Sequence, residues 1–250
     1  MDVLLRGKAG PQGGREEVKG KTVLVLGGGP HEIGPRDNWN VSLSSPSLPA
    51  LPLLVHRVIG DPGEAGYVCR RFGPEARVHG QGMRQAIRDY ASRRDAMNVL
   101  GAVLKAGMDG QAGVVVLIDR DRRRDDDTIR PLQAGRDAAA QFSDIPCAVG
   151  QAVEAFDAWM IADGKAVAEA GGNASRSHPA PENLNGEEGT GNHPKERAAE
   201  IFGGSEGLGA KCAQIASTVN IEFLKKSCPV GFAPFAAEVK ERIAPVLKPA

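Results

Sequence analysis

The chain has 250 residues, 41% of them hydrophobic, with 31 Lys and Arg balanced by 31 Asp and Glu for a net charge of zero. That length suits one large α/β domain, alone or with an appended subdomain, and the charge balance excludes a general nucleic-acid-binding field, leaving only local basic patches. Aromatic residues, at 4%, make base-stacking platforms scarce. The four cysteines (Cys69, Cys147, Cys212 and Cys228) form no C-x-x-C pair, so reduced thiols are expected instead of a zinc site or a disulfide frame. The amino terminus lacks a signal peptide's apolar core and no apolar run reaches membrane-spanning length. A cytoplasmic protein with no membrane partner is therefore expected.

Residues 1–20 carry Gly, Lys, Arg and Glu without a sustained apolar period and read as a loose tail. Lys21 to Leu26 (KTVLVL) is the first strand, and it runs into Gly27-Gly28-Gly29-Pro30-His31-Glu32-Ile33-Gly34. Such a turn lets a backbone approach an anion at Gly28 and Gly29, or simply takes the chain tightly out of the strand. It has neither the Lys-Ser/Thr ending of a Walker loop nor the dinucleotide fingerprint. Arg36 to Pro52 reads as irregular, and Leu51 to Ile59 as a short helix or strand in which His56 is a packing or surface residue. Arg70 to Gln81 reads as a basic loop, with solvation favoured over phosphate contact. Met83, Ile87, Tyr90, Met97, Leu100 and Leu104 make one apolar stripe, predicting a helix over 83–105.

Val114 to Asp127 (VVVLIDRDRRRDDD) organises the chain. Its apolar, β-branched start predicts a strand covered on both faces of a parallel sheet. If extended geometry continues, Asp119 and Asp121 face the same way, with Cα atoms about 6.5 to 7 Å apart. Two carboxylates so placed repel unless a cation such as Mg²⁺ (or Mn²⁺) lies between them; a solvated turn neutralised by arginines accounts for the same residues. Alternation sends Arg120 to the opposite face, which leaves Arg122, Arg123 and Arg124 as better phosphate clamps. Thr128 is placed to cap a helix through Gln141, and Ile145 to Val149 is a short third strand.

Gln151 to Ala170 is predicted helical, with Val153, Phe156, Met160 and Val167 on its buried face. Asp157 and Asp163 lie about 120° apart on such a helix, so it bends or ends near Gly164, or only one acid reaches a shared site. Trp159 is read as core or rim. Residues 171–192 form a Gly- and Asn-rich loop. Helices are then expected from His193 to Ile201, Lys211 to Val219 and Phe235 to Val246, with a further turn over Ile221 to Lys226. The reading is an α/β fold with a small, mostly parallel sheet flanked by helices: a tail (1–20), an α/β domain (21–170), a flexible loop (171–192) and a helical C-terminal extension packed on the same domain (193–250).

Taken in order, Val23 to Leu26 into the glycine turn, Leu117-Ile118-Asp119-Arg120-Asp121, Asp157 to Asp163 (DAWMIAD), His193-Pro194-Lys195, and Cys228-Pro229 to Phe232 with Phe235 resemble the Toprim-related proteins. Within that type the chain looks like a largely uncharacterised bacterial family. The resemblance spans Lys21 to about Val239. It implies a Mg²⁺-dependent nuclease acting on nucleic acid, in DNA repair or phage defence, with Asp119 and Asp121 as metal ligands. It also implies a catalytic glutamate just after the first strand. Here glycines occupy that place and the nearest acid is Glu32, which is expected to be the base or a third ligand. Asp157 and Asp163 are candidate supporting acids, and Lys195 joins Gly28, Gly29, Arg122 and Arg123 as expected substrate contacts. The alternatives are a binding or regulatory protein whose metal site is degenerate, and a small-molecule phosphotransfer or nucleotide-binding enzyme that uses the glycine turn for a phosphate.

Overall fold

The computed structural model describes residues 21–34, 39–42, 48–60, 65–73, 93–121, 123, 125–184 and 189–247. Five strands make one sheet: β1 (Lys21–Gly27), β2 (Trp39–Ser42), β3 (Ala65–Arg71), β4 (Gly113–Asp119) and β5 (Cys147–Ala152), in spatial order β2-β3-β1-β4-β5. β3, β1, β4 and β5 run parallel, and β2 pairs antiparallel with β3 at one edge. The mostly parallel α/β sheet expected from the sequence is present.

The central strands need cover on both faces because their side chains are apolar on both. Val23, Val25, Val115 and Leu117 belong to one buried cluster and Leu24, Leu26, Val114 and Val116 to another, following the period-2 alternation of a strand. Helix α2 (Ala50–Ile59) covers the first face. The second is covered by α3 (Arg93–Met108) and α4 (Asp125–Ala139), through Val99, Leu100, Val103 and Leu132.

The rest of the chain is helical and returns to the first face. α5 (Asp157–Met160), α6 (Gly164–Glu169), α7 (Pro194–Phe202), α8 (Leu208–Thr218), α9 (Ile221–Ser227) and α10 (Phe232–Glu238) follow in order. α10 continues through a π turn (Val239–Ile243) into α11 (Ala244–Leu247). Phe232, Phe235, Val239 and Ile243 share one core with Val115, Leu117 and Ala148. Trp159 sits in that core, fully buried, with ring centroids 5.1 to 5.6 Å from Phe156, Phe232 and Phe235.

Several local expectations change. The segment from Leu51 to Ile59 is a helix. Arg70 and Arg71 end strand β3, where a basic loop is read from the sequence. Of the 83–105 helix, the part from Arg93 lies among the described residues and runs on to Met108; Met83, Ile87 and Tyr90 lie outside them, as do residues 1–20. Thr128 is not a cap: the helix begins at Asp125 and Thr128 is buried inside it. β5 extends to Ala152, so the expected helix over 151–170 is only α5 and α6, separated by Ile161 to Asp163. Register explains this, since Leu117, Ile118 and Asp119 pair with Gly150, Gln151 and Ala152 and the sheet ladder outweighs local helical spacing. The 171–192 stretch contains two short 3₁₀ turns (Ala174–Arg176 and Pro181–Asn183), and Glu182 in the second is buried. No helix among the described residues is long and apolar enough to cross a membrane, and all four cysteines are free and buried.

Candidate active site

Because β3, β1, β4 and β5 are parallel, their carboxyl ends share one edge of the sheet. From β1 the chain moves outward to β3 by way of α2 on one face. It then returns past β1 to β4 by way of α3 on the other. Strand order thus reverses between β1 and β4, and in open α/β sheets this leaves a crevice suited to a ligand. A cleft of about 510 Å³ opens there, lined by Gly28, Gly29, Pro30, His31, Glu32, Phe72, Asp95, Ile118, Asp119, Asp121, Arg123, Asp157 and Lys195.

Glu32 reaches the cleft by folding back. The turn after β1 leads into a four-residue helix, α1 (Pro30–Ile33), with Gly29 as its N-cap. The Glu32 carboxylate returns over the turn so that Oε2 accepts from Gly28 N and, at 3.1 Å, from Gly29 N. Gly27 makes room for it: a Cβ there would stand 2.5 Å from Glu32 Oε2 and 2.8 Å from Ile33 Cγ2. The anion cradled by the glycine turn is therefore the protein's own carboxylate. This corrects the expectation that Gly28 and Gly29 offer free amides to a phosphate, although both residues line the cleft. Glu32 is 3% exposed. Burial, and then the charge of Asp119, push its pKa well above the ordinary glutamate value, against the pull of the two amides.

Asp119 is the last residue of β4. Its Oδ1 accepts from Phe156 N at 2.8 Å, and its Oδ2 lies 3.8 Å from Lys195 Nζ. Burial pushes its pKa up to about 6; Lys195 and the Phe156 amide work against that, while Asp121 and Asp157 add to it. Asp121 does not continue the strand. It has φ 47°, outside the extended region, and the turn brings both residues to the cleft. Asp121 and Glu154 (φ 60°) are the two non-glycine residues with positive φ among those described, and Asp121 N donates to Glu154 O at 3.4 Å. Backbone held in this sparsely populated region costs on the order of 1 kcal/mol per residue or more, and such residues cluster at functional sites.

The basic residues divide. Arg120 turns away from the cleft, as alternation predicts, and its Nη2 lies 3.2 Å from Glu154 Oε1. Arg123 lines the cleft while donating to Asp119 O at 3.0 Å and Arg120 O at 3.2 Å. Arg122 and Arg124 lie outside the described residues. Lys195 stands in the first turn of α7, whose N-cap is His193: the ring Nδ1 accepts from Lys195 N at 3.3 Å.

The DAWMIAD acids separate as well. Asp157 opens α5 beside the cleft, buried, with Oδ1 2.9 Å from His31 Nδ1. That hydrogen bond raises the His31 pKa against the opposing effect of burial. Asp163 does not line the cleft. It caps α6 through Lys165 N and Ala166 N and accepts from Asn220 N at 3.1 Å. The break between α5 and α6 is what separates the two acids.

Sequence reasoning did not single out His31 or Cys212. Cys212 on α8 meets His31 and Asp157, and one potential ligand atom from each of the three lies within 4.8 Å of the others. It is the one such group of three among the described residues. Position alone, directly after the turn that ends β1, could have marked His31; nothing in the local sequence marks Cys212. In the comparisons with known proteins, no family model, curated protein or solved structure matches the chain.

Proposed function

We propose that the protein is a Mg²⁺- or Mn²⁺-dependent phosphodiester-cleaving enzyme of the Toprim-related type, acting on nucleic acid. One observation carries the reading: carboxylates from two separate segments, Glu32 after β1 and Asp119 with Asp121 after β4, converge at the switch point opposite Lys195 and Arg123.

The donor chemistry fits a hard cation, which takes oxygen ligands. Glu32 Oε2 receives both turn amides and Oε1 has no hydrogen bond among the described residues. Asp119 Oδ2 faces Lys195, and Asp121 is exposed. A bound divalent ion would stabilise charge on the phosphate and lower the pKa of an attacking water. The chain's own groups do the rest. Lys195, with its side chain 44% exposed, presents a point charge to a phosphate oxygen, and Arg123, held by the carbonyls of Asp119 and Arg120, adds positive charge beside it. Glu32, holding its proton more tightly than an ordinary glutamate, suits the role of a proton donor or acceptor. Glycines occupy the place where the family resemblance expects a catalytic glutamate, and Glu32 is the nearest acid to it.

A second reading, a non-catalytic binding protein, is favoured by one feature: capping the turn before α1 already gives the Glu32 carboxylate a structural role. The two are separated by incubating single- and double-stranded DNA and RNA with the protein and Mg²⁺ or Mn²⁺, alongside isothermal titration of Mn²⁺. Cleavage that requires metal and falls at least about a hundredfold in Asp119→Asn and Glu32→Gln supports the enzyme. Mn²⁺ binding without turnover on any of these substrates supports the second reading. No Mn²⁺ binding at all would refute the metal-dependent proposal.

A further inference from the structure

We infer that the inner wall of the cleft carries a second cation site of different chemistry, a three-ligand site for a borderline divalent ion of the Zn²⁺ or Co²⁺ class, made by His31, Asp157 and Cys212. The inference does not depend on the phosphodiester-cleaving reading. Each ligand comes from a different element: His31 from α1, Asp157 from the first residue of α5, Cys212 from α8. The elements are held together locally, since Gly209 of α8 lies against α1, where a Cβ would be 3.6 Å from Pro30 O and 3.9 Å from His31 Cα.

The donor set selects the ion. One imidazole nitrogen, one carboxylate oxygen and one thiol sulfur form the mixed N/O/S environment that Zn²⁺ takes and that Mg²⁺ and Ca²⁺ do not. Zn–N, Zn–O and Zn–S bonds of about 2.0 to 2.3 Å in a tetrahedron put ligand atoms roughly 3.3 to 3.6 Å apart. The three atoms already lie within 4.8 Å of one another, at most about 1.5 Å beyond that spacing. Insertion must replace the 2.9 Å His31–Asp157 hydrogen bond and release the proton of the Cys212 thiol, whose pKa burial raises.

Exposure gives the site its form. Cys212 and Asp157 are buried, whereas the His31 side chain is 28% exposed and lines the cleft. Three protein ligands with the fourth direction open to the cleft is the arrangement of an ion that meets an exogenous water or ligand, as opposed to a closed structural site. The Glu32 and Asp119 carboxylates stand close enough to add negative potential at His31, Asp157 and Cys212. The two cation sites would therefore adjoin.

Co²⁺ titration of the full chain after chelator treatment tests this, read by visible and near-ultraviolet absorption. One Co²⁺ per chain, with a thiolate-to-cobalt charge-transfer band and the intense visible bands of four-coordination, is expected, and a large molar excess of Mg²⁺ should not remove it. Cys212→Ala should abolish the charge-transfer band. His31→Ala, at a partly exposed position, should weaken Co²⁺ binding even where the buried Cys212 variant does not fold. That loss should exceed the roughly 10- to 100-fold cost of losing an outer-shell partner. Asp119→Asn should keep the band while losing Mg²⁺-dependent cleavage, so the fates of the two readings separate. Absence of Co²⁺ binding, binding without the charge-transfer band, or a band unchanged in His31→Ala would overturn the assignment.

Discussion

Replacing Asp119 by Asn should stabilise the metal-free protein at neutral pH and leave it unchanged in acid. Asp119 has a folded pKa of about 6 against an ordinary value of 3.8, mainly through burial. A carboxyl raised in the folded state contributes its full stability below pH 3.8 and loses it as pH rises to about 6, because over that window the unfolded chain ionises first. About two pH units at 1.36 kcal/mol each gives a penalty of ~3 kcal/mol above pH 6. Asn cannot ionise and so escapes it, and its side-chain oxygen can still accept from Phe156 N. That folded pKa already contains the attraction to Lys195 at 3.8 Å, which opposes the rise. The gain above pH 6 is therefore the whole ~3 kcal/mol, or roughly 6 to 12 °C in Tm for a chain of this size. Urea denaturation of both proteins from pH 3.5 to 7.5, taken as a difference so that other groups cancel, measures it. The difference should climb between pH 3.8 and about 6, and Mg²⁺ should stabilise the wild type alone. An Asn variant equal to or less stable than wild type at pH 7, or a difference flat across pH, would refute the reasoning.

The remaining predictions concern the supports of the site. His31→Ala strands the buried Asp157 carboxylate and should cost about 2 kcal/mol at pH 6. Because Asp157 raises the His31 pKa, the wild type's advantage is fully present below pH 6.5 and should fade as pH rises through the elevated value, which denaturation at pH 6 and pH 9 would reveal. Glu182 accepts from Val230 N at 2.9 Å, Gly231 N at 2.8 Å and Phe232 N at 3.4 Å. Glu182→Ala should therefore lower stability by about 3 kcal/mol without changing metal affinity, measured by urea melts and Mn²⁺ titration. Gly135→Ala improves helix propensity by about 1 kcal/mol, but its methyl would overlap Ala96 O and stand 2.8 Å from Val99 Cβ. Net destabilisation of about 1 to 2 kcal/mol is expected, and a more stable variant would show that α3 and α4 are not packed this closely.

The sheet's central strands were legible because their evidence is local. Lys21 to Leu26 and Val114 to Ile118 are apolar at successive positions, and only a strand covered on both faces accommodates that. β3 was not, since Ala65-Gly66-Tyr67-Val68-Cys69 is broken by a glycine and runs into two arginines that mask a strand held by pairing with β1. The end of β5 was misread for a related reason: spacing after Gln151 satisfies a helix, and only the ladder to β4 makes residues up to Ala152 extended. At the site, Asp119 and Asp121 were legible as paired acids at a strand end, whereas Glu32 and Lys195 were singled out only through the family resemblance, and Asp163 shows the limit of reading chemistry from residue type. It has the same residue type as Asp157 and sits six positions away, yet it is an N-cap.

By itself the sequence determined which segments must be buried on both sides, and therefore a mostly parallel α/β sheet with acids at the carboxyl end of β4. Those are consequences of side-chain chemistry acting over a few neighbouring residues. Only the tertiary structure decided that Glu32 folds back onto Gly28 and Gly29, that Asp121 leaves the strand, and that Cys212 comes from a helix 181 positions after His31 to meet it. Each of these rests on contacts between distant segments, or on one backbone angle in a turn, and no local pattern encodes either.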